Sequence, residues 1–153
     1  MDKLELRIPP PLIALAIGAA MWLLARLAPS LAFDFAWRPA LSLLVAVSGG
    51  LLALAGIAVF WRVGTTIHPH HPGKTSSIVT SGVFKFTRNP MYLGLLLVLV
   101  SWAIRLANPL PFLLLAAFVW LINRLQIGPE ERILSARFGQ AYDDYRRSVR
   151  RWI

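Results

Sequence analysis

Residues 80–94 read TSGVFKFTRNPMYLG, a polar and basic loop that runs directly into an apolar helix. Pro90 suits the first turn of a helix, where its missing N–H costs no hydrogen bond and its fixed φ is already helical. From Met91 to Ile104 the chain then carries no charge. The stretch therefore marks a membrane surface, polar before Pro90 and lipid-soluble after it. Free backbone N–H groups in that first turn face the loop, where they suit an anionic group.

Working outward, four apolar segments stand out: Pro11–Ala28, Pro39–Trp61, Met91–Ile104 and Leu110–Leu125. Arg26 lies near the end of the first, within reach of the interface. That segment is long for the apolar part of a cleavable signal, and no small-x-small site follows it. The second can span a membrane with some tilt. The third and fourth are short and are joined by RLANPLP, residues 105–111, whose Asn108-Pro109 and Pro111 make a tight turn. They read as a helical hairpin. Gly49, Gly50, Gly56 and Gly94 supply small surfaces for close helix contact.

Composition agrees. The chain has 153 residues, 57% of them hydrophobic, and a mean hydropathy of +0.61, more than a soluble domain of this size needs. The absence of cysteine excludes disulfides, Cys-ligated zinc and thiol nucleophiles. A net charge of +9 comes without any nucleic-acid-binding motif, so no nucleic-acid partner is expected. With four crossings and a cytoplasmic amino terminus, thirteen of the 16 Lys and Arg residues share one face, and only Arg26, Arg38 and Arg105 lie on the other. That asymmetry predicts an inner-membrane protein with both termini cytoplasmic.

From Gly128 the character changes. Glu130 and Glu131 open a tail in which Ile133, Leu134, Phe138, Tyr142, Tyr145 and Val149 recur at helical spacing. The pattern predicts an amphipathic helix at the membrane surface, broken near Gly139, with Trp152 at the headgroups. The expected fold is an all-α integral membrane bundle: about four transmembrane helices, a helical hairpin and a C-terminal amphipathic helix.

Each polar candidate admits two readings. Glu130 and Glu131 favour a helix start through its dipole, or hold a cationic ligand. Arg88 is a positive-inside anchor or part of a site. Asn89 is a good helix cap, and Tyr92 suits an interfacial belt. His68, His70 and His71 are poorly spaced for one metal site and read as loop residues, so no metal is expected.

GVFKFTRNPMYLG, then a short hairpin, then EERILSARFGQAYDDYRRSVRRWI resembles the isoprenylcysteine carboxyl methyltransferase family and the related phospholipid methyltransferases, over about residues 62–153. The family's first motif is commonly Arg-His-Pro-x-Tyr-x-Gly, and here Asn89 stands at the His position. The resemblance implies S-adenosylmethionine as cofactor. It carries over Val79, Gly82, Phe84, Asn89, Pro90, Tyr92, Glu130 and Glu131 as cofactor-binding positions, with Phe84 where some members have Tyr. Relatives that methylate a carboxylate hold it with an arginine shortly before the glutamate. Gln126 occupies about that position and Arg124 lies two residues earlier, so Arg124 and Arg88 are the catalytic candidates.

The chemistry is consistent with these residue types. A carboxylate can pair with the cofactor's ammonium, backbone N–H groups with its carboxylate, and aromatic faces with its adenine or sulfonium. Methyl transfer mainly needs positioning and desolvation, and a carboxylate acceptor needs no general base. The implied arrangement is one integral membrane domain, 1–153: two N-terminal transmembrane helices over 1–61 and a methyltransferase-like core over 62–153. The implied activity is methylation of a lipid-like or lipidated acceptor, foremost the carboxyl group of an isoprenylcysteine-like substrate. The alternatives are N-methylation of a phospholipid and a non-catalytic membrane binding or assembly protein. The Arg-Asn-Pro elbow and the acidic start of the tail are expected to meet in one cleft at the inner headgroup layer.

Overall fold

A computed structural model describes residues 4–63 and 78–153; His68, His70 and His71 lie outside the described residues. Among those, every regular element is helical. Helix α1 is Pro10–Leu27, α2 Arg38–Val63, α3 Pro90–Leu106, α4 Leu110–Ile122, α5 Gly128–Phe138 and α6 Gln140–Ser148. Five of these, α1 to α5, carry proline in their first two positions, and at the free starts of α1 to α4 the ring removes no helical hydrogen bond.

Helix α1 packs on α3 and α4, and α2 lies along α3. On α1, Ile13, Ile17 and Met21 form one stripe at four-residue spacing. They meet Leu99 and Ala103 of α3 and Phe118 and Ile122 of α4 in the core. The α2–α3 crossing is closer. A Cβ on Gly94 would lie 2.6 Å from the Gly49 carbonyl oxygen and 2.8 Å from the Ala53 Cβ, and one on Gly49 would lie 2.7 Å from the Gly94 oxygen. Only two glycines facing each other allow the two backbones to come this near. Gly56 meets Pro90 and Met91, whereas Gly50 faces open space.

Helices α1 and α2 are long and apolar enough to cross a membrane, as is the continuous run Leu110–Phe138, while the apolar α3 is shorter at 17 residues. Only 11% of the apolar window of either α1 or α2 is buried inside the bundle. Leu43, Leu44, Leu51 and Leu54 of α2 point outward, so hydrocarbon is the medium that can cover them. At one end of the bundle Asn108 organises the α3–α4 turn. Its Oδ1 accepts from the Leu110 N–H at 3.0 Å, and its Nδ2 donates to the Ala28 carbonyl at 2.8 Å.

One boundary differs from the sequence expectation. Gly128-Pro129 does not start a new surface helix, because α4 continues into α5 through a π turn over Asn123–Ile127. Pro129 has no N–H to offer the Leu125 carbonyl four residues back. The wider turn absorbs that loss, and the Leu125 carbonyl accepts the Leu6 N–H at 2.8 Å instead. The amphipathic helix proper is α6. It is set off by Gly139 at φ 53° and ψ −129°, a region essentially confined to glycine.

Candidate functional site

A cavity of about 600 Å³ lies at the bundle end where α1 and α3 begin and α2 finishes. Its walls come from six places, one of them the loop before α3 with Ile78, Val79, Phe84, Arg88 and Asn89. The segment Leu6–Pro11 closes one side, Ala53, Ile57 and Phe60 of α2 another, and Pro90, Met91, Tyr92 and Leu95 open α3 along a third. Gln126, Ile127, Glu130, Glu131 and Leu134 line the π turn and α5, and Tyr142 and Tyr145 of α6 cover the top. The lining is mostly apolar, with a few convergent polar groups, as ligand sites commonly are.

Two neighbouring acids have different fates. Glu130 accepts a 2.5 Å hydrogen bond from the Tyr92 hydroxyl and has no cationic partner among the described residues. Glu131 is fully committed. Its Oε1 accepts from Arg88 Nη2 at 2.9 Å and Arg151 Nε at 3.1 Å, and its Oε2 from Arg151 Nη2 at 2.6 Å. The side chains of Arg88 and Glu131 are each only 9% exposed, so this pair is largely withdrawn from water. The Nε–H of Arg88 is buried without a hydrogen-bond partner among the described residues.

The Arg-Asn-Pro elbow is clamped by the end of the chain. The Arg88 N–H donates to the Arg150 carbonyl at 3.1 Å. Asn89 Nδ2 donates to the Arg151 carbonyl at 2.9 Å, and the Thr87 hydroxyl reaches the same oxygen at 3.3 Å. The Tyr145 hydroxyl donates to the Phe84 carbonyl at 2.8 Å. Burial, and next the charge of Glu131, push the Tyr142 phenol up to about 12, while burial followed by Tyr142 raises that of Tyr145 further. Both phenols therefore remain neutral donors over the physiological range.

Several expectations change. Asn89 makes no side-chain cap for α3; its Nδ2 instead holds the Arg151 carbonyl. Tyr92 is a buried partner of Glu130 rather than an interfacial belt residue. Trp152 packs against the core and donates its indole N–H to Asn123 Oδ1 at 3.2 Å, so its polar tip is satisfied inside the protein instead of at the headgroups.

Of the ten residues singled out by sequence, Val79, Phe84, Arg88, Asn89, Pro90, Tyr92, Glu130 and Glu131 line this one cavity. Gly82 does not: it turns the chain at φ 60°, where an added Cβ would stand 3.0 Å from Val59. Arg124 is exposed and also outside the lining. The sequence reading missed the N-terminal segment, Phe60, which meets Phe84 edge-on at 5.3 Å, and Arg151. Nothing local marks them, although an Arg-rich end after two tyrosines could have drawn attention to Arg151.

A family model described as phospholipid methyltransferase matches residues 37–141. An uncharacterised protein of Haemophilus influenzae is 44% identical over 63 residues, covering 41% of this chain and all of that relative. Protein-S-isoprenylcysteine O-methyltransferase A of Arabidopsis thaliana is 29% identical over 113 residues, 74% of this chain and 57% of its own length. The protein-S-isoprenylcysteine O-methyltransferase of Mus musculus is 30% identical over the same number of residues, 40% of its length. The chain thus spans roughly two-fifths to just over half of these two methyltransferases.

Proposed function

The chain belongs to the phospholipid methyltransferase family, and we propose that it is an S-adenosylmethionine-dependent membrane methyltransferase acting on a lipid-like or lipidated acceptor. The favoured reaction is carboxyl methylation of an isoprenylcysteine-like substrate, on the cytoplasmic side of the inner membrane. The observation that carries this reading is the Tyr92–Glu130 pair inside an otherwise apolar cavity of about 600 Å³.

The residues present fit the cofactor. Glu130 is a carboxylate facing the cavity without a cation, which suits an ammonium. The orphaned Nε–H of Arg88 is a donor for a carboxylate, since a buried donor gains most from acquiring a partner. Phe60, Phe84 and Ile57 offer apolar faces for a purine. Glu131 is occupied by two arginines, and its role is to hold Arg88 and the chain end in place. When bound, the cofactor supplies a methyl group activated on a sulfonium. The residues around it exclude water and fix orientation, which is the main demand of such a transfer.

The acceptor's apolar part has a route. A groove between α1 and α2, floored by α3, opens toward the lipid-facing side and includes Ala14, Gly18, Leu43, Val98 and Trp102. Pro11 and Leu95 line both groove and cavity, so the two adjoin. An alkyl chain in the groove would bring its polar end to the cavity.

Amine methylation of a phospholipid is the second reading, favoured by the position of Arg124 outside the cavity lining. Purified protein in lipid nanodiscs, incubated with labelled S-adenosylmethionine, tests both. Saturable cofactor binding lost in Glu130→Ala is expected. Mass spectrometry of a prenylcysteine analogue and of phosphatidylethanolamine then identifies the product. Absence of cofactor binding by the unaltered protein would end the proposal.

A further inference from the structure

The segment Glu5–Ile8 is fastened to the start of α5 on either side of one residue. Glu5 pairs with Arg132 at 2.7 Å. The Leu6 N–H donates to the Leu125 carbonyl that Pro129 leaves open, at 2.8 Å. Gln126 Nε2 donates to the Ile8 carbonyl, also at 2.8 Å. Between these anchors stands Arg7, which lines the cavity and whose guanidinium has no partner among the described residues. Leu6 holds φ 59°, a left-handed conformation unfavourable for a side chain with a Cβ. Such strain persists only where surrounding contacts impose it, and it concentrates at functional positions. Three contacts and a strained residue therefore fix the backbone that carries Arg7, whose side chain is exposed at the cavity edge.

The cavity's cations are unequal. Arg88 is neutralised by Glu131, and Gln126, though it lines the cavity, is uncharged and spent on Ile8. Arg7 alone brings uncompensated positive charge to the lining among the described residues. It stands four positions before Pro11, the residue shared by cavity and lateral groove. An amphiphile lying in that groove would present its headgroup at the cavity edge formed by this segment.

We propose that Arg7 is the residue that holds the anionic group of the acceptor, carboxylate or phosphate, and that Gln126 is a positioning residue that fastens the segment bearing it. The proposal rests on the methyltransferase reading for the acceptor's role but not for the binding itself. A guanidinium meets either anion with paired charge-assisted hydrogen bonds.

Binding to the unaltered protein in nanodiscs, followed by tryptophan fluorescence without cofactor, tests it directly. The probes are N-acetyl-S-farnesylcysteine against its methyl ester, and hexadecyl phosphate against hexadecanol. The acid of at least one pair should bind about tenfold or more tighter than its neutral partner. Arg7→Gln should abolish that preference and Arg7→Lys should keep part of it. Gln126→Leu should weaken it with Arg7 intact. The pair that responds tells carboxylate from phosphate. Cofactor affinity should stay within about twofold in Arg7→Gln, which also shows that the variant is folded. No preference in the unaltered protein, an unchanged preference in Arg7→Gln, or a loss of cofactor affinity instead would overturn the assignment. Failure of the unaltered protein to bind cofactor, with the anion preference present, would count against the methyltransferase reading alone.

Discussion

The Tyr92 hydroxyl and the Glu130 carboxylate, 38 residues apart in the chain, meet at 2.5 Å across the cavity floor. One belongs to the first turn of α3 and the other to the first turn of α5. The bond therefore ties the Arg-Asn-Pro elbow to the far end of the α3–α4 hairpin, and it aims the acid.

Removing the charge at Glu130 should weaken cofactor binding. A charge-assisted hydrogen bond contributes about 1.5–3 kcal/mol, so Glu130→Gln should raise the dissociation constant by about tenfold to a hundredfold. Tyr92→Phe leaves the charge and loses only its orientation, and a rise of several fold is expected. Isothermal titration of S-adenosylmethionine into the purified protein measures both.

Glu131 should behave differently, as a support for structure. Glu131→Ala leaves Arg88 charged and buried at 9% side-chain exposure, and stranding one member of a buried pair costs about 3–5 kcal/mol. A marked fall in melting temperature is expected, together with faster proteolysis at the chain end that Arg151 anchors. Equal stability of the variant and the parent would contradict this role.

Helix crossing provides a matched pair. Gly94→Ala drives a Cβ to 2.6 Å from the Gly49 oxygen, and such overpacking costs about 1–3 kcal/mol. Gly50→Ala meets nothing within 4 Å and should fall within about 0.5 kcal/mol of the parent. Unfolding in mixed detergent micelles would rank the two.

Alkaline titration reports on the α6 lid. Burial raises the Tyr142 phenol to about 12 and that of Tyr145 still further. A phenol raised on folding contributes stability present below its ordinary value of 10.0 and lost as pH climbs through the raised one. In Tyr92→Phe, which leaves only these two tyrosines, absorbance at 295 nm should show little tyrosinate at pH 10.5. A normal tyrosine curve would mean that α6 does not cover the cavity.

Much of the bundle is legible in the linear chain because helices in lipid are set by local quantities: run length, proline at helix starts and charge at the ends. Pro90 opening α3, Asn108 turning the hairpin and Gly139 breaking the tail all follow from residues within a few positions of each other. The motif around Arg88–Tyr92 and the acids at 130–131 likewise named most of the cavity's polar lining. The fate of each polar group was settled by tertiary structure instead, because it depends on which partner the fold brings beside it from elsewhere in the chain. Glu131 met two arginines and Glu130 a tyrosine, though they are adjacent on one helix. Asn89 holds the Arg151 carbonyl and does not cap its own helix. The carbonyl of Leu125, freed by Pro129, was met by Leu6, and that contact brought Arg7 to the cavity from the opposite end of the chain.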